Sequence, residues 1–483
     1  MKRLFTIAAV LFVILQGHAN NVEISNVLKS GISVRFDVTW ENSWRSNSTY
    51  HDAVWIFIKN APNGGPSWNH SRINTIASVG SGYTTEIAPD ESGFILRRSF
   101  NQHGTASTSV TAHLHFGDLE GVYQDVKVMA IEMVYIPTES FYLGDGASDR
   151  TFHKGDDPAV SYHVQSEGVM THGTGPNDFD GGLIGADIPV SFPKGYSDFY
   201  CMKYQLTQGQ YVDFLNCLPR AAQDLRTNTD LSGSSITNRY VMTNTSSMTY
   251  SNGIRCDADI GTGNITFYCD HDGDGIGNES NDGLSKVCGY LIIQDVYAYL
   301  DWAGLAPMTT LEYEKACRGP IAAVPLELAW GSSLINDTGS IQNDGSADET
   351  WTNSGVDGGL ITLSSSAGTI NKATRVGLNA PATGATRELS NASFYGLMDM
   401  TSRFDNLCMY YQSTAPYAGE EGDGTLAING DADFMDIAIK FQVKKWSGTT
   451  STTGDGGRVS SANGNTGAGA RFSQNSFRGV KRL

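Results

Sequence analysis

The sequence predicts an α+β chain in which an all-β sandwich over residues 20–130 precedes a loop-rich unit over residues 131–483. Three observations predict it. Residues 20–130 read as strands, two sharply marked helices follow within residues 286–320, and 54 glycines with only 17% charged residues call for many turns. With 40% apolar and 10% aromatic residues, the 483-residue chain has ordinary globular composition and can bury one large core or two.

In the first unit Val34, Phe36, Val38 and Trp40 alternate with polar neighbours, residues 53–58 form a short, nearly continuous apolar run, and a turn cluster occupies residues 60–66. A sandwich of about one hundred residues fits this spacing. His113 and His115 stand two apart on one strand face, so a metal site is open to them; with no third ligand nearby, the plainer reading is ordinary surface or core histidines. The pattern changes near Lys127, which places a domain boundary around residue 130.

Helix signals are strongest beyond that boundary. Thr207 with Gln210 and Thr309 with Glu312 each have the spacing of a capping box, and Leu206 with Tyr211 and Met308 with Tyr313 the spacing of a hydrophobic staple. Tyr211, Phe214, Leu215 and Leu218 line one helical face. Ile293, Val296, Leu300 and Ala303 line another, with Gln294, Asp295 and Asp301 off it.

Lys2 and Arg3, the apolar run at residues 4–15 and the small residues around Ala19 have the three-part layout of a secretory signal, with cleavage near Ala19 leaving Asn20 first. The apolar run is too short to span a bilayer, which takes about 20 residues, so export without membrane insertion and a secreted or cell-surface location are expected. Losing Lys2 and Arg3 with the signal takes the net charge from -18 to -20, which disfavours nucleic acid and anionic membranes and favours cations, or serves solubility alone. In an exported chain the seven cysteines could form up to three disulfides; Cys256 with Cys269 is the expected local pair, because the residues between them can turn and bring two short strands together.

Residues 220–285 are rich in Asn, Ser, Thr and Gly and carry the sharpest chemical motif. Asp270, Asp272 and Asp274 occupy positions 1, 3 and 5 of a calcium loop, Gly275 position 6, the Ile276 carbonyl position 7 and Asn278 position 9. Position 12 is Asn281, which cannot be a bidentate carboxylate; Glu279 or Asp282 could substitute. The bland alternative is an acidic, glycine-rich turn. Calcium is preferred because three carboxylates this close repel unless a cation or water intervenes, and its role would be to lock the insertion.

The run PMTTLEYEKACRG at residues 307–319 resembles the signature of the formylglycine-generating enzyme (sulfatase-modifying factor) family. Ordered partial matches accompany it: MVYIP with Phe141 and Gly144 resembles the opening of that family's core, residues 199–218 its E-V-T segment with Gln205 for glutamate, and Ala329–Gly331, residues 374–377, YGLMDM at 395–400, Arg458, Arg471 and Arg478 its later elements. The resemblance implies a C-type-lectin-like fold. It does not carry the activity over, because the family's copper-binding cysteine pair lies near its C-terminal arginines and this chain has no cysteine after Cys408. Related sulfoxide synthases hold iron with histidines, and the last histidine here is His271. No redox metal is therefore expected. The family's calcium-binding segment after YGLMDM is replaced by TSRFDN. What the resemblance then implies is a catalytically inactive relative that binds a protein or surface glycan or joins a surface assembly, with Arg403, Arg471 and Asn475 on a C-terminal recognition face. The alternative is a metal-dependent oxidase of peptidyl cysteine or a small thiol.

Overall fold

Alternation in β2 (Ser33–Arg45) points Val34, Phe36, Val38 and Trp40 inward, each fully buried, as the period of a half-buried strand requires. The computed structural model describes residues 22–62, 65, 68–119, 124–353, 359–361, 372–379, 386–402, 404–414, 417–434, 441–444, 457–461, 463–465 and 471–483. The expected signal at residues 1–19 and Arg403 lie outside them. Among the described residues the chain is mostly β-sheet, with four short α-helices.

Two sheets build the N-terminal half. One is antiparallel, in the order β1 (Val22–Ser30), β2, β8 (Gln102–Leu114), β5 (Ile73–Val79). The second contains β3 (Asp52–Pro62), β4 (Asn69–Ser71), β6 (Tyr83–Ile87), β7 (Phe94–Arg98) and β9 (Gln124–Ile136). Between them lie Phe36 and Trp40 from β2, Ile56 and Ile58 from β3, and Val110 and Leu114 from β8.

The second sheet does not stop at the sandwich. Beyond β9 it continues through strands Phe199–Met202, Gly479–Lys481 and Ala306–Pro307, so the C-terminal segment is threaded into the middle of the fold. Residue 130 falls inside β9, whose Val128 packs in the sandwich core while Ile131 and Met133 pack in the larger core beyond. The change of pattern near residue 130 thus marks one strand passing between two cores rather than a linker. β3 does the same: Val54, Ile56 and Ile58 face the sandwich, and Ala53, Trp55 and Phe57 face the larger core. A strand buried on both faces loses its alternation, which accounts for the continuous apolar run.

The larger core surrounds α1 (Gln208–Leu215), α2 (Arg220–Leu225), α3 (Ile293–Trp302) and α4 (Thr310–Arg318). Both capping boxes form: Thr207 accepts from Gln210 N, and Thr309 from Glu312 N at 3.1 Å. The C-terminal carbonyls of α3 are satisfied from the sandwich, Trp302 O by Lys59 Nζ at 2.6 Å and Ala303 O by Trp55 Nε1 at 2.8 Å. The polar face expected of α3 is not a solvent face, since Asp295 and Asp301 are both fully buried. Asp295 pairs with Arg471 and Arg226, and on α4 Arg318 pairs with Glu314 and Glu327. These acidic and basic side chains of α3 and α4 are buried, so their charges meet partners instead of water.

Candidate functional site

The acidic motif sits within residues 220–285, a segment that is well bonded internally. Arg220 alone donates to the carbonyls of Leu231, Gly233, Ile260 and Gly263. Strands Ile254–Arg255 and Tyr268–Cys269 form the expected antiparallel hairpin. Its register sets Cys269 opposite Ile254 rather than Cys256, and both cysteines are buried free thiols. The expected Cys256–Cys269 disulfide is therefore corrected: the turn forms, but with a register that does not pair the two sulfurs.

The loop after the hairpin brings Asp270, Asp272 and Asp274 together, with one carboxylate oxygen from each within 4.8 Å of the others. Gly273 at φ 79° and Gly275 at φ 95° supply left-handed turns that place their amides on Asp270, at 2.8 and 3.1 Å. Asp270 is also buried against the Arg255 guanidinium, so part of the negative charge is already neutralised within the chain. Asp272 and Asp274 are exposed, and each accepts a backbone amide two residues on.

The other expected ligands brace the loop. Asn278 turns its side-chain oxygen to Cys269 N at 3.0 Å, and Asp282 spends its two oxygens on His271 N and Glu279 N at 3.1 and 2.7 Å. Ile276 donates its amide to Asp274 and exposes its side chain. Three converging carboxylates fit a hard cation, which takes oxygen ligands, better than they fit a soft one.

Arg471 and Asn475 are not a recognition face. Arg471 binds Asp295 and donates to the carbonyls of Tyr290, Leu225 and Thr227, while Asn475 is 4% exposed and donates to Leu291 O at 3.0 Å. Both lock the C-terminal segment onto α3 and the end of α2. His113 and His115 also have separate neighbours, Thr75 at 3.4 Å and Glu91 at 2.9 Å.

Two features have no local sequence signal. Asp301, at the end of α3, meets Asp423 and Asp433, again with one oxygen from each within 4.8 Å. Burial pushes the Asp301 carboxyl up to about 7, against the amides of Asp433 and Asp423 that bond it. The second feature is a cavity of about 530 Å³ where the sandwich meets the larger core. Its walls include Val22 and Val27 of β1, Val126, Lys127 and Met129 of β9 and Asp213 of α1, with the buried rings of Phe57, Tyr299 and Trp302 behind them. Asp213 stands open within the cavity, yet protein surrounds it, and this desolvation pushes its carboxyl up to about 6. Lys127 opposes that shift; its Nζ lies 4.5 Å from the centre of the Trp68 ring and 3.8 Å from Cys217 Sγ.

All seven cysteines are buried. Burial pushes Cys201 and Cys256 up to about 12 and Cys217 to about 11, and moves Cys269 and Cys288 upward as well. Among the described residues no helix is long and apolar enough to cross a membrane. No protein-family model matches the chain, and no curated protein matches it.

Proposed function

We propose that this chain is an exported, catalytically inactive relative of the formylglycine-generating enzymes, with a C-type-lectin-like core, that acts in binding or assembly at the cell surface. The reading rests on the motif order from residue 133 to Arg478 and on the burial of the segments that carry it. Arg478, in the element that closes the motif series, is fully buried and donates to the carbonyls of Met202 and Lys203 at 3.0 and 2.8 Å and to Asn406 at 3.0 Å. These residues serve the scaffold.

The observation that carries the loss of activity is the state of the thiols. Nucleophilic thiolate chemistry needs an accessible sulfur that ionises near neutral pH. Here every thiol is buried, and the burial of Cys201, Cys217 and Cys256 opposes ionisation. The cavity between the sandwich and the core supports binding, since pockets of about 300–1,000 Å³ at such junctions are where small ligands sit. Calcium held by Asp270, Asp272 and Asp274 would tie the loop down and add no redox chemistry.

Titration of the native exported protein with a disulfide thiol reagent tests this. The expected result is negligible reaction until denaturant is added, and then release of all seven equivalents. Two thiols reacting rapidly in the native protein would revive the oxidase reading. N-terminal sequencing of the exported chain checks the address: Asn20 should come first.

A further inference from the structure

The cavity holds charge that the fold leaves unspent. Within α1, Tyr211, Phe214 and Leu215 turn into the core, and Asp213 faces the cavity instead. Three acids of the interior have cationic partners, Asp295 in Arg471, Glu312 in Arg482 at 2.8 Å and Glu132 in Lys203 at 3.1 Å. The Asp213 carboxylate accepts no hydrogen bond from any described residue. Lys127 is the basic side chain on the wall, and it is drawn toward the Trp68 ring and Cys217. Glu23 of β1 adds a second carboxylate to the lining, and Lys203, behind the wall, offsets Glu132. Asp213 and Glu23 together outweigh Lys127, so the cavity is net negative.

Beside those carboxylates stand Val22, Val27, Val126 and Met129, each half-buried and open to the cavity; the rings of Phe57 and Trp302 lie buried behind them, with Lys59 Nζ 5.6 and 5.0 Å from their centres. A carboxylate beside an apolar wall suits an amphipathic ammonium ion, which gains an ion pair and a charge-assisted hydrogen bond and removes its apolar body from water. An anionic ligand would meet Asp213 and Glu23, and a neutral one would leave Asp213 without a partner.

We propose that this cavity binds a small amphipathic organic cation, an ammonium group on an aromatic or branched aliphatic body, with Asp213 as its counter-ion and Val22, Val27, Val126 and Met129 against the body. The proposal rests on the reading of the chain as a binding protein and supplies that reading with a ligand class. The strongly acidic chain, at net charge -18, draws cations from solution in the same sense.

The test is calorimetric titration of the full exported chain with a panel of arylalkyl and branched alkyl ammonium ions and with the matching alcohols and carboxylates. It uses wild type, Asp213→Asn and the cavity-filling Val27→Trp, each checked for a single cooperative unfolding transition. The expected result is that ammonium ions bind, that Asp213→Asn weakens them about tenfold or more, that Val27→Trp abolishes binding, and that the carboxylates do not bind. Ammonium binding that is indifferent to Asp213→Asn, or alcohols and carboxylates that bind as tightly, would overturn the ligand class; if Val27→Trp still blocked them, the cavity would stand as a binding site and the broader reading would survive. A panel in which nothing binds would overturn the inference, leaving the broader reading to the thiol titration above.

Discussion

The loop at residues 270–282 combines an internal ion pair with a candidate cation site, and two substitutions separate them. Asp270 is fully buried against Arg255, whose side chain is only 4% exposed, and it also holds the amides of Gly273 and Gly275. Removing one partner of a buried pair strands the other charge, at a cost of about 3–5 kcal/mol. Asp272 is exposed and holds the Asp274 amide and the Asn281 side chain, solvated bonds whose loss costs about 1 kcal/mol in total. In chelator, therefore, Asp270→Ala should lose about 3–5 kcal/mol and Asp272→Ala about 1 kcal/mol. Calcium at about one hundred times its Kd should stabilise wild type by about 2.7 kcal/mol, and Asp272→Ala should remove most of that gain. Urea unfolding of the three proteins, with chelator and with calcium, reads both effects. A wild-type midpoint that does not move with calcium refutes the cation site. Equal losses for the two variants in chelator would refute the assignment of the ion pair to Asp270 alone.

Lys203 joins β3, β9 and the following core strand through Asp52 at 3.3 Å and Glu132 at 3.1 Å, all with side chains under 5% exposed. Lys203→Met should cost about 3–5 kcal/mol in urea unfolding, because two carboxylates are left buried without a cation; a loss below about 1 kcal/mol would contradict this. Asp213 gives a pH signature. Its folded carboxyl titrates at about 6, above the ordinary 3.8, so the folded state holds this proton more tightly. The stabilisation from that proton is complete below the unfolded value and is lost as pH rises through the folded one. Asp213→Asn lacks the proton, so its stability relative to wild type should improve between about pH 4 and 7 and stay level on either side; a difference that does not vary with pH would show that Asp213 is not desolvated.

What the sequence reveals here is what local periodicity and capping encode. The inward set of β2, the caps of Thr207 and Thr309, the hairpin before Asp270 and the convergence of three aspartates all follow from spacing over a dozen residues or fewer. The same local reasoning placed Asp295 and Asp301 off the apolar face without showing that they are buried, because partners such as Arg471, Asp423 and Asp433 are more than one hundred residues away. The expected disulfide failed on register, which spacing does not fix. Arg471 and Asn475 are polar residues near a chain end, a pattern shared by recognition loops and structural staples; only their carbonyl and carboxylate partners decide between the two. The cavity was invisible for a related reason. It is assembled where β1, β9 and α1 meet, and no single stretch of sequence contains it.

Elemental analysis of the protein purified without chelator bears most directly on the proposal of a binding scaffold without redox-metal chemistry. Retained calcium, with copper and iron well below one equivalent per chain, is the expected result. Copper or iron bound at one equivalent would contradict the proposal and favour an oxidase.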